Sequence, residues 1–253
     1  MTVLDDLNRY YDAAGIHPLN FHCEHREKCS HNSVDFVEAR SAYVGREYEG
    51  GSLPRLLFLS LDPGQELGDA QRRSPEGQRA WEEEHCKAET LPRNKHWYRT
   101  HELALTFLAQ FKNDLTLDDV HLYFAHATSA KCCMNRSGNA KAPSRLFKNC
   151  RRYVRGEIIL LEPDIIVTQG NDARIAIESS FPPSPSSVIG DMKQCSHAVL
   201  DVAGRDGRVR KVLWFHTYHP RNGRFYRQRR ECFRDWADLV LRFVHGQPNN
   251  GLE

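Results

Sequence analysis

The stretch that decides the fold reads Arg55-Leu56-Leu57-Phe58-Leu59-Ser60-Leu61 and stops at Asp62-Pro63-Gly64. A short, continuously apolar run that ends in a turn is typical of a β-strand buried on both faces, as in parallel sheets. Similar runs at 120–127 and 165–170 lie on either side of a helix predicted over 144–161. Strands that alternate with helices predict an α/β fold with a three-layer α/β/α arrangement, whose ligands bind beyond the carboxyl ends of the strands.

The remaining segments complete one predicted domain over residues 1–253. Residues 1–20 predict a short amphipathic helix that ends at Gly15, and residues 101–112 also have helical spacing. Further strands are expected at 198–203 and 211–216, followed by a closing helix to about Val244. The polar stretch 65–100 is predicted to be a long loop or insertion, and the tail 245–253 is predicted to be frayed.

Composition excludes some classes of protein. The chain has 35 Lys and Arg against 33 Asp and Glu, a net charge of +2, with 40% hydrophobic residues. This balance excludes a globally polybasic nucleic-acid coat and an acidic disordered tail. The sequence has no apolar run of about 18 residues, and its N-terminus does not read as a signal peptide. We therefore expect a cytoplasmic protein that does not bind membranes. We also expect it to be a monomer.

Cysteines form a pattern with metal-ligand character. Cys23 and Cys29 lie in a segment rich in histidine and cysteine, 21–35, and Cys132 or Cys133 with Cys150 follows more than a hundred residues later. Four thiolates from two distant segments can hold one [4Fe–4S] cluster or one zinc ion. Buried free thiols, or a zinc site formed by Cys23, His25 and Cys29, are the alternatives.

Two loops carry candidate catalytic residues. Asp62 follows a buried strand, so its carboxylate is expected in the cleft at the sheet edge, although an aspartate before Pro-Gly is also common in simple turns. His219 follows another apolar strand and precedes Pro220, which favours an extended backbone. Its ring is expected either to face a ligand oxygen or to be a structural histidine.

A basic segment surrounds the second loop. Residues 205–234 hold ten Lys and Arg against Asp206 and Glu231, with Phe225 and Tyr226 among them. Such a segment suits binding to a phosphate backbone, and a solvated helix face is the alternative.

Together these segments resemble the uracil-DNA glycosylase superfamily, and most closely its iron–sulfur branch. The resemblance rests on four features in order: the paired cysteines, the strand with Asp62-Pro63-Gly64, Lys131-Cys132 with Cys150 downstream, and His219-Pro220. Residues 160–170 also look like the family segment L-x-P-x-x-I-V-x-x-G. The resemblance implies a short, mainly parallel sheet and a monofunctional glycosylase that flips a nucleotide out of DNA and hydrolyses its N-glycosidic bond.

The resemblance also implies roles for individual residues. The cluster ligands are Cys23, Cys29, Cys132 and Cys150, with Cys133 in reserve. Asp62 positions or deprotonates the water, and His219 donates a hydrogen bond to the departing base. Around the base lie Thr128, Trp97 and Gly64. The basic segment, rather than the resemblance, predicts phosphate contacts at Arg221, Arg224 and Arg227, with Phe225 or Tyr226 as a wedge in the gap left by the flipped base.

This chain departs from the family pattern at informative positions. The iron–sulfur enzymes usually read G-E-A-P-G where this chain has Leu61 and Asp62, and Arg221 replaces the serine of H-P-S. Thr128 replaces the asparagine that grips uracil, and it offers a single hydroxyl. We therefore expect excision of uracil or of another modified, bulkier pyrimidine of the kind found in phage DNA.

Two other classes of function stay open on the sequence alone. One is an iron–sulfur module that binds DNA without excising a base, for which Asp62 would have no use. The other is a zinc-dependent nuclease with His22, Cys23, His25 and Cys29 as its site, which would also need carboxylates such as Glu24, Glu27 or Asp35.

Overall fold

The computed structural model describes residues 2–31, 33–64, 69–87, 89, 95–134, 142–183 and 196–246. The helices in these residues are α1 (Val3–Ala13), α2 (Arg26–Ser30), α3 (Ala70–Arg73), α4 (Pro75–His85), α5 (Lys95–Leu108), α6 (Ser144–Leu161), α7 (Asn171–Ser180), α8 (Arg224–Glu231) and α9 (Phe233–Val244). The strands are β1 (Phe36–Val37), β2 (Tyr43–Val44), β3 (Leu56–Ser60), β4 (Phe124–Thr128), β5 (Cys133–Met134), β6 (Ile165–Gln169), β7 (Ser196–Ala203) and β8 (Val209–Thr217).

Six of these strands form one sheet in the order β2-β4-β3-β6-β8-β7. The four inner strands, β4, β3, β6 and β8, are parallel, while β2 and β7 pair antiparallel at the two edges. The predicted α/β class with a mainly parallel sheet is therefore confirmed. The stretch quoted first is β3, which lies between β4 and β6.

Alternate residues of the strands pack into two separate cores. Leu57, Leu59 and Ile166 face a core that also contains residues of α1, α6 and α7. Leu56 and Phe58 face a second core with residues of α5, α8 and α9. This is why β3 reads as continuously apolar, since both of its faces are covered by helices.

Local chemistry fixes the ends of several elements. Thr2 and Asp5 form a capping box that starts α1. Glu162 ends α6 in the left-handed conformation at φ 45°, and the Asp164 carboxylate then accepts a hydrogen bond from the Arg55 backbone at 2.8 Å. That bond ties the beginnings of β3 and β6 together, and their parallel registers bring their carboxyl ends to one edge.

Several predicted boundaries were wrong. The stretch 65–100, expected to be a loop, contains α3, α4 and the first turn and a half of α5. Val120–Tyr123 forms a 3-10 turn, so the strand there starts at Phe124. The closing helix is divided into α8 and α9, and the two-residue strands β1, β2 and β5 were not foreseen. Of the tail predicted to fray, 247–253 lies outside the described residues.

No helix in the described part of the chain is long and apolar enough to cross a membrane.

Candidate functional site

The carboxyl ends of the inner strands carry polar side chains on one face of the sheet. On that face, Phe58, Phe124, Val167 and Phe215 belong to the second core. Two residues further along each strand, where side chains return to the same face, come the polar residues Ser60, His126, Gln169 and Thr217. All four are buried. Buried polar groups need partners, so this patch must be built from hydrogen bonds.

Ser60 is the centre of this hydrogen-bond network. Its hydroxyl donates to Gln169 Oε1 at 2.6 Å and lies 2.7 Å from His126 Nε2 and 3.4 Å from His96 Nε2. Gln169 Nε2 in turn donates to Thr100 Oγ1 at 2.9 Å. The network therefore connects three strands of the sheet to the first turns of α5.

The first turn of α5 covers this patch with aromatic rings. His96 stacks on His219, with ring centroids 5.0 Å apart and planes 30° apart. Trp97 packs edge-on against His126, with the ring centroids 4.9 Å apart, and is only 9% exposed. Burial, followed by the charges of neighbouring groups, lowers the pKa of His96 and of His126 well below the ordinary histidine value, so both rings are neutral at pH 7.

His219 is held in a defined tautomer. The backbone N–H of Arg221 donates to His219 Nδ1 at 3.2 Å. Burial, and secondarily the positive charge of Arg221, lowers the pKa of His219 to about 4, so the ring is neutral at pH 7. With Nδ1 accepting a hydrogen bond, the proton of the neutral ring lies on Nε2. His219 therefore presents a hydrogen-bond donor.

Asp62 leaves the same edge of the sheet at the end of β3. It is partly buried, and its Oδ2 accepts a hydrogen bond from the Gly64 backbone N–H at 3.2 Å. Gly64 has φ +73°, and no described atom lies within 4 Å of the place a Cβ would occupy, so the turn requires glycine for its backbone conformation. Two residues before Asp62, Ser60 contacts His96, which stacks on His219. The loop that carries Asp62 is thereby connected to the His219 loop.

The remaining predicted pocket residue on this edge is Thr128, the last residue of β4. It stands opposite Ser60 in the parallel register and is buried at 7% exposure. The roles predicted for Thr128, Trp97 and Gly64 toward a base stay predictions.

The four predicted cluster cysteines line one pocket. Cys23, Cys29, Cys132 and Cys150 come from a loop, from α2, from the turn before β5 and from α6, and the pocket has an empty volume of about 270 Å³ counted to its mouth. Burial, followed by Cys150, Cys29 and Cys23, raises the pKa of Cys132. Cys133 lies in β5 opposite Val37 and is not among the pocket residues, so the reserve candidate faces elsewhere.

Hydrogen-bond donors surround the sulfur atoms of this pocket. Asn149 Nδ2 donates to Cys29 Sγ, and the Lys131 backbone N–H donates to Cys150 Sγ, both at 3.3 Å. The Tyr153 hydroxyl lies 3.3 Å from Cys23 Sγ. Such donors to sulfur are characteristic of iron–sulfur sites, where they stabilise thiolates and tune the cluster. The donor set therefore fits a four-cysteine cluster.

The alternative ligands of a single zinc ion, Cys23, His25 and Cys29, line the same pocket. In the described ranges, no group of three or more His, Cys, Asp or Glu side chains is arranged to hold one ion. Near the proposed zinc ligands, Glu24 pairs with Arg152 and lies 3.3 Å from His25. Cluster thiolates need wider spacing than the ligands of one ion, because each of them binds a different iron atom.

A buried ion pair fixes the loop that carries Cys132. Lys131 Nζ pairs with Glu157 of α6, and both side chains are 1% exposed. Tyr11 donates to the other Glu157 oxygen at 2.6 Å and accepts from the Ala42 backbone. Breaking a buried pair by removing one partner typically costs about 3–5 kcal/mol, so this pair holds the Cys132 loop against α6.

The basic segment 205–234 is divided between two ends of the molecule. The nine residues of β8 span about 30 Å, which separates Arg205, Arg208, Arg210 and Lys211 from the residues after His219. Those four residues form ion pairs with acidic groups. The segment 205–234 therefore does not lie as a whole beside the His219 loop, and its predicted role in DNA binding stays a prediction.

Only the second half of that segment adjoins the His219 loop. Arg221, Arg224 and Arg227 are exposed and have no ion-pair partner within the described residues. Phe225 is buried at 1% exposure and packs against Phe233, whereas Tyr226 is 43% exposed. Of the two predicted wedges, Tyr226 is the one that faces solvent.

Sequence reasoning missed several residues of this site. Ser60 and Gln169 end β3 and β6, and His126 lies two residues before the end of β4. These strands were predicted only as apolar runs, and the step from apolar to polar along one face was the available signal. His96 and Arg99 both lie within 65–100, which was predicted to be a long loop or insertion. Cys232, which had no predicted role, is disulfide-bonded, and Cys195 lies outside the described residues.

Comparisons with known proteins do not assign a family. No family model matches the chain, and no curated protein matches it. A solved structure with some likeness is a domain of unknown function, DUF1537, from Bordetella bronchiseptica with bound citrate, at 8% identity and a TM-score of 0.33. The alignment covers 74% of this chain and 41% of that one, so this chain spans about two fifths of its length. A likeness of this degree carries no argument about function.

Proposed function

We propose that the protein is a monofunctional DNA glycosylase that hydrolyses the N-glycosidic bond of uracil or another modified pyrimidine. The observation that carries the proposal is the donor state of His219, a neutral ring with its proton on Nε2, at the sheet edge from which Asp62 also emerges. A donor there suits a base that leaves with negative charge, and a carboxylate suits a cationic sugar.

The proposed reaction divides the work between these two residues. The bond from C1′ to the base breaks, and its electron pair leaves with the base, whose carbonyl oxygen accepts the hydrogen bond from His219 Nε2. Asp62 stabilises the cationic sugar and takes the proton of the water that adds to C1′. The target nucleotide must first leave the duplex, for which the exposed Arg221, Arg224 and Arg227 offer phosphate contacts.

The direct test is release of free base from DNA by protein purified without oxygen. Duplex and single-stranded oligonucleotides carrying uracil or bulkier modified pyrimidines would be incubated with the chain, and free base and abasic sites measured. We expect base release from at least one of these DNAs. Tight binding to all of them without any abasic site would favour the alternative of a DNA-binding module.

We also propose that Cys23, Cys29, Cys132 and Cys150 hold a [4Fe–4S] cluster with a structural role. The support is the shared pocket and the donors to three of its sulfurs. When bound, the cluster would join the N-terminal segment to the Cys132 loop and α6. It enters no step of the proposed reaction.

Cys132→Ser is expected to yield colourless protein, whereas the unaltered chain purified anaerobically is brown. The reason is that a serine hydroxyl is a poor substitute for a thiolate ligand of iron. Iron content and visible absorption measure the effect, and Cys133→Ser is the matched control, because its side chain is outside the pocket. Stoichiometric zinc without iron in the unaltered chain would overturn the cluster assignment.

Arg224→Ala and Arg227→Ala are expected to weaken DNA binding and to lower the slope of log affinity against log salt concentration by roughly one each. Each removes an exposed charge beside the His219 loop. Arg208→Ala is the control, since it also removes an exposed charge, at the other end of β8. Equal effects from all three substitutions would mean that the surface at 221–227 has no special part in DNA binding.

A further inference from the structure

The first turn of α5 contacts the His219 loop at two points. His96 stacks on the His219 ring at 5.0 Å, and its Nε2 lies 3.4 Å from Ser60 Oγ. Arg99, one helical turn later, donates to the backbone carbonyl of Pro220 and, at 3.5 Å, to that of Asn222. Residues three apart lie on the same face of a helix, so one face of α5 supports the whole loop.

Among the described residues, the His219 ring has one hydrogen bond, to Nδ1, and one stacked ring, His96, that constrain its orientation. The rotation of a histidine ring about its outer side-chain bond is broad, and one hydrogen bond to Nδ1 does not fix the plane of the ring. A flat neighbour at stacking distance does fix it. His96 is itself anchored to the network that joins β3, β4 and β6, because Ser60 also binds His126 and Gln169.

We propose that His96 is a positioning residue that holds the His219 ring by stacking, so that Nε2–H points at the departing base. This inference rests on the proposed function of His219 as a leaving-group donor. His96 transfers no proton in this role; its contribution is a ring of the right shape in the right place. A displaced donor loses much of its effect, since misplacements of about 1 Å can cost about 100-fold in rate.

The pKa of His219 reports whether His96 is stacked on its ring. The groups that face it are His96 from α5, His126 from β4 and Arg221 from its own loop. Its pKa of about 4 is caused first by burial and then by the charge of Arg221. Removing the ring of His96 admits water to one face of His219, which raises the pKa of His219 toward the ordinary value of 6.5.

Two substitutions separate the ring of His96 from its nitrogen atoms. His96→Phe keeps a flat ring and loses the bond to Ser60, whereas His96→Gln keeps a hydrogen-bonding group and loses the ring. We expect His96→Gln to lower single-turnover base release by about 10- to 100-fold with DNA affinity unchanged, and to raise the pKa of His219. We expect His96→Phe to stay within about threefold of the unaltered chain and to leave that pKa low.

Other results would overturn the positioning role. If His96→Gln releases base at nearly the unaltered rate and His96→Phe does not, the hydrogen bond to Ser60 is the important contact of His96. If both variants release base slowly and the pKa of His219 is unchanged, the result would point to proton transfer by His96. No effect of either would mean that His96 has no part in the site. His85→Ala, which removes an exposed ring stacked on Trp81, is the control and should change neither quantity.

One measurement needs neither substitution nor DNA. Nuclear Overhauser contacts between the ring protons of His96 and His219 are expected in the unaltered chain, and their absence would overturn the proposal even if a substituted chain failed to fold. The same spectra report the pKa of His219 in a chain that releases no base. Failure of the proposed function is thereby distinguished from failure of the positioning role.

Discussion

Asp62→Asn is expected to lower the rate of base release by about 10²- to 10⁴-fold while DNA affinity stays the same or rises. Asparagine has nearly the same shape as aspartate and can still accept the hydrogen bond from the Gly64 backbone, so the turn after β3 is preserved. It has no negative charge to stabilise a cationic sugar, and it cannot take a proton from water. The substitution therefore removes chemistry and leaves the fold unchanged.

Single-turnover base release and equilibrium DNA binding, measured on the same preparation, separate these two effects. Asp201→Asn is the matched control, because Asp201 is exposed on the edge strand β7 and faces Lys211 near the beginning of β8, at the opposite end of the sheet. A chain with Asp62→Asn that releases base at the unaltered rate would disprove the proposed mechanism. It would leave the DNA-binding module as the better account.

The strands that build the sheet were predictable because burial on both faces leaves a direct trace in the sequence. A strand such as β3 must be apolar at every position, and few other structures require that in so short a run. The long helix α6 was equally clear, since its apolar spacing runs unbroken between Pro143 and Pro163. Short edge strands such as β2 have no such trace, because two residues show no period.

The helices α3 and α4 were missed for a physical reason. α4 is rich in Glu, and its stability comes from the Ser74 cap and from contacts of a few residues such as Gln78 with the rest of the protein. Single-sequence periodicity detects an apolar stripe, and this helix has almost none. Tertiary contacts decide such a helix, and they are not readable from the local sequence.

The candidate site was likewise predictable from the sequence only in part. The cysteine grouping was predictable, because reactive residue types at ligand-like spacing are rare by chance, and the structure brings all four to one pocket. The division of the basic segment between two ends of the molecule was not predictable. A count of charges along the sequence does not show that β8 passes through the core between Lys211 and Thr217. His96 was not predictable either, since only the packing of α5 brings it against His219.

His219→Ala is expected to lower base release by about 10²- to 10³-fold, the effect of losing one preorganised donor to a developing negative charge. The donor is worth this much because the ring is neutral and fixed before reaction, with Nδ1 bonded to the Arg221 N–H and the ring stacked on His96. Since the pKa of His219 is about 4, we expect the donor arrangement to persist from pH 7 down to about pH 5.

The sign of the acid dependence follows from the bond to Arg221. As pH falls through about 4, Nδ1 gains a proton and can no longer accept from the Arg221 N–H, so the ring loses the hydrogen bond that defines its tautomer. Imidazole ¹⁵N spectra should therefore show the Nε2–H tautomer at neutral pH and its loss near pH 4. His216 also has a pKa lowered to about 4, but its Nδ1 bonds to Thr168 away from the His219 loop. His216→Gln is therefore the control, and it should leave the ¹⁵N signals of His219 and their change near pH 4 as they are in the unaltered chain. An Nδ1–H tautomer at neutral pH would contradict the donor role, because Nε2 would then have no proton to donate to the departing base. Undiminished base release by His219→Ala would also contradict it, because base release would then not depend on a hydrogen bond from this ring.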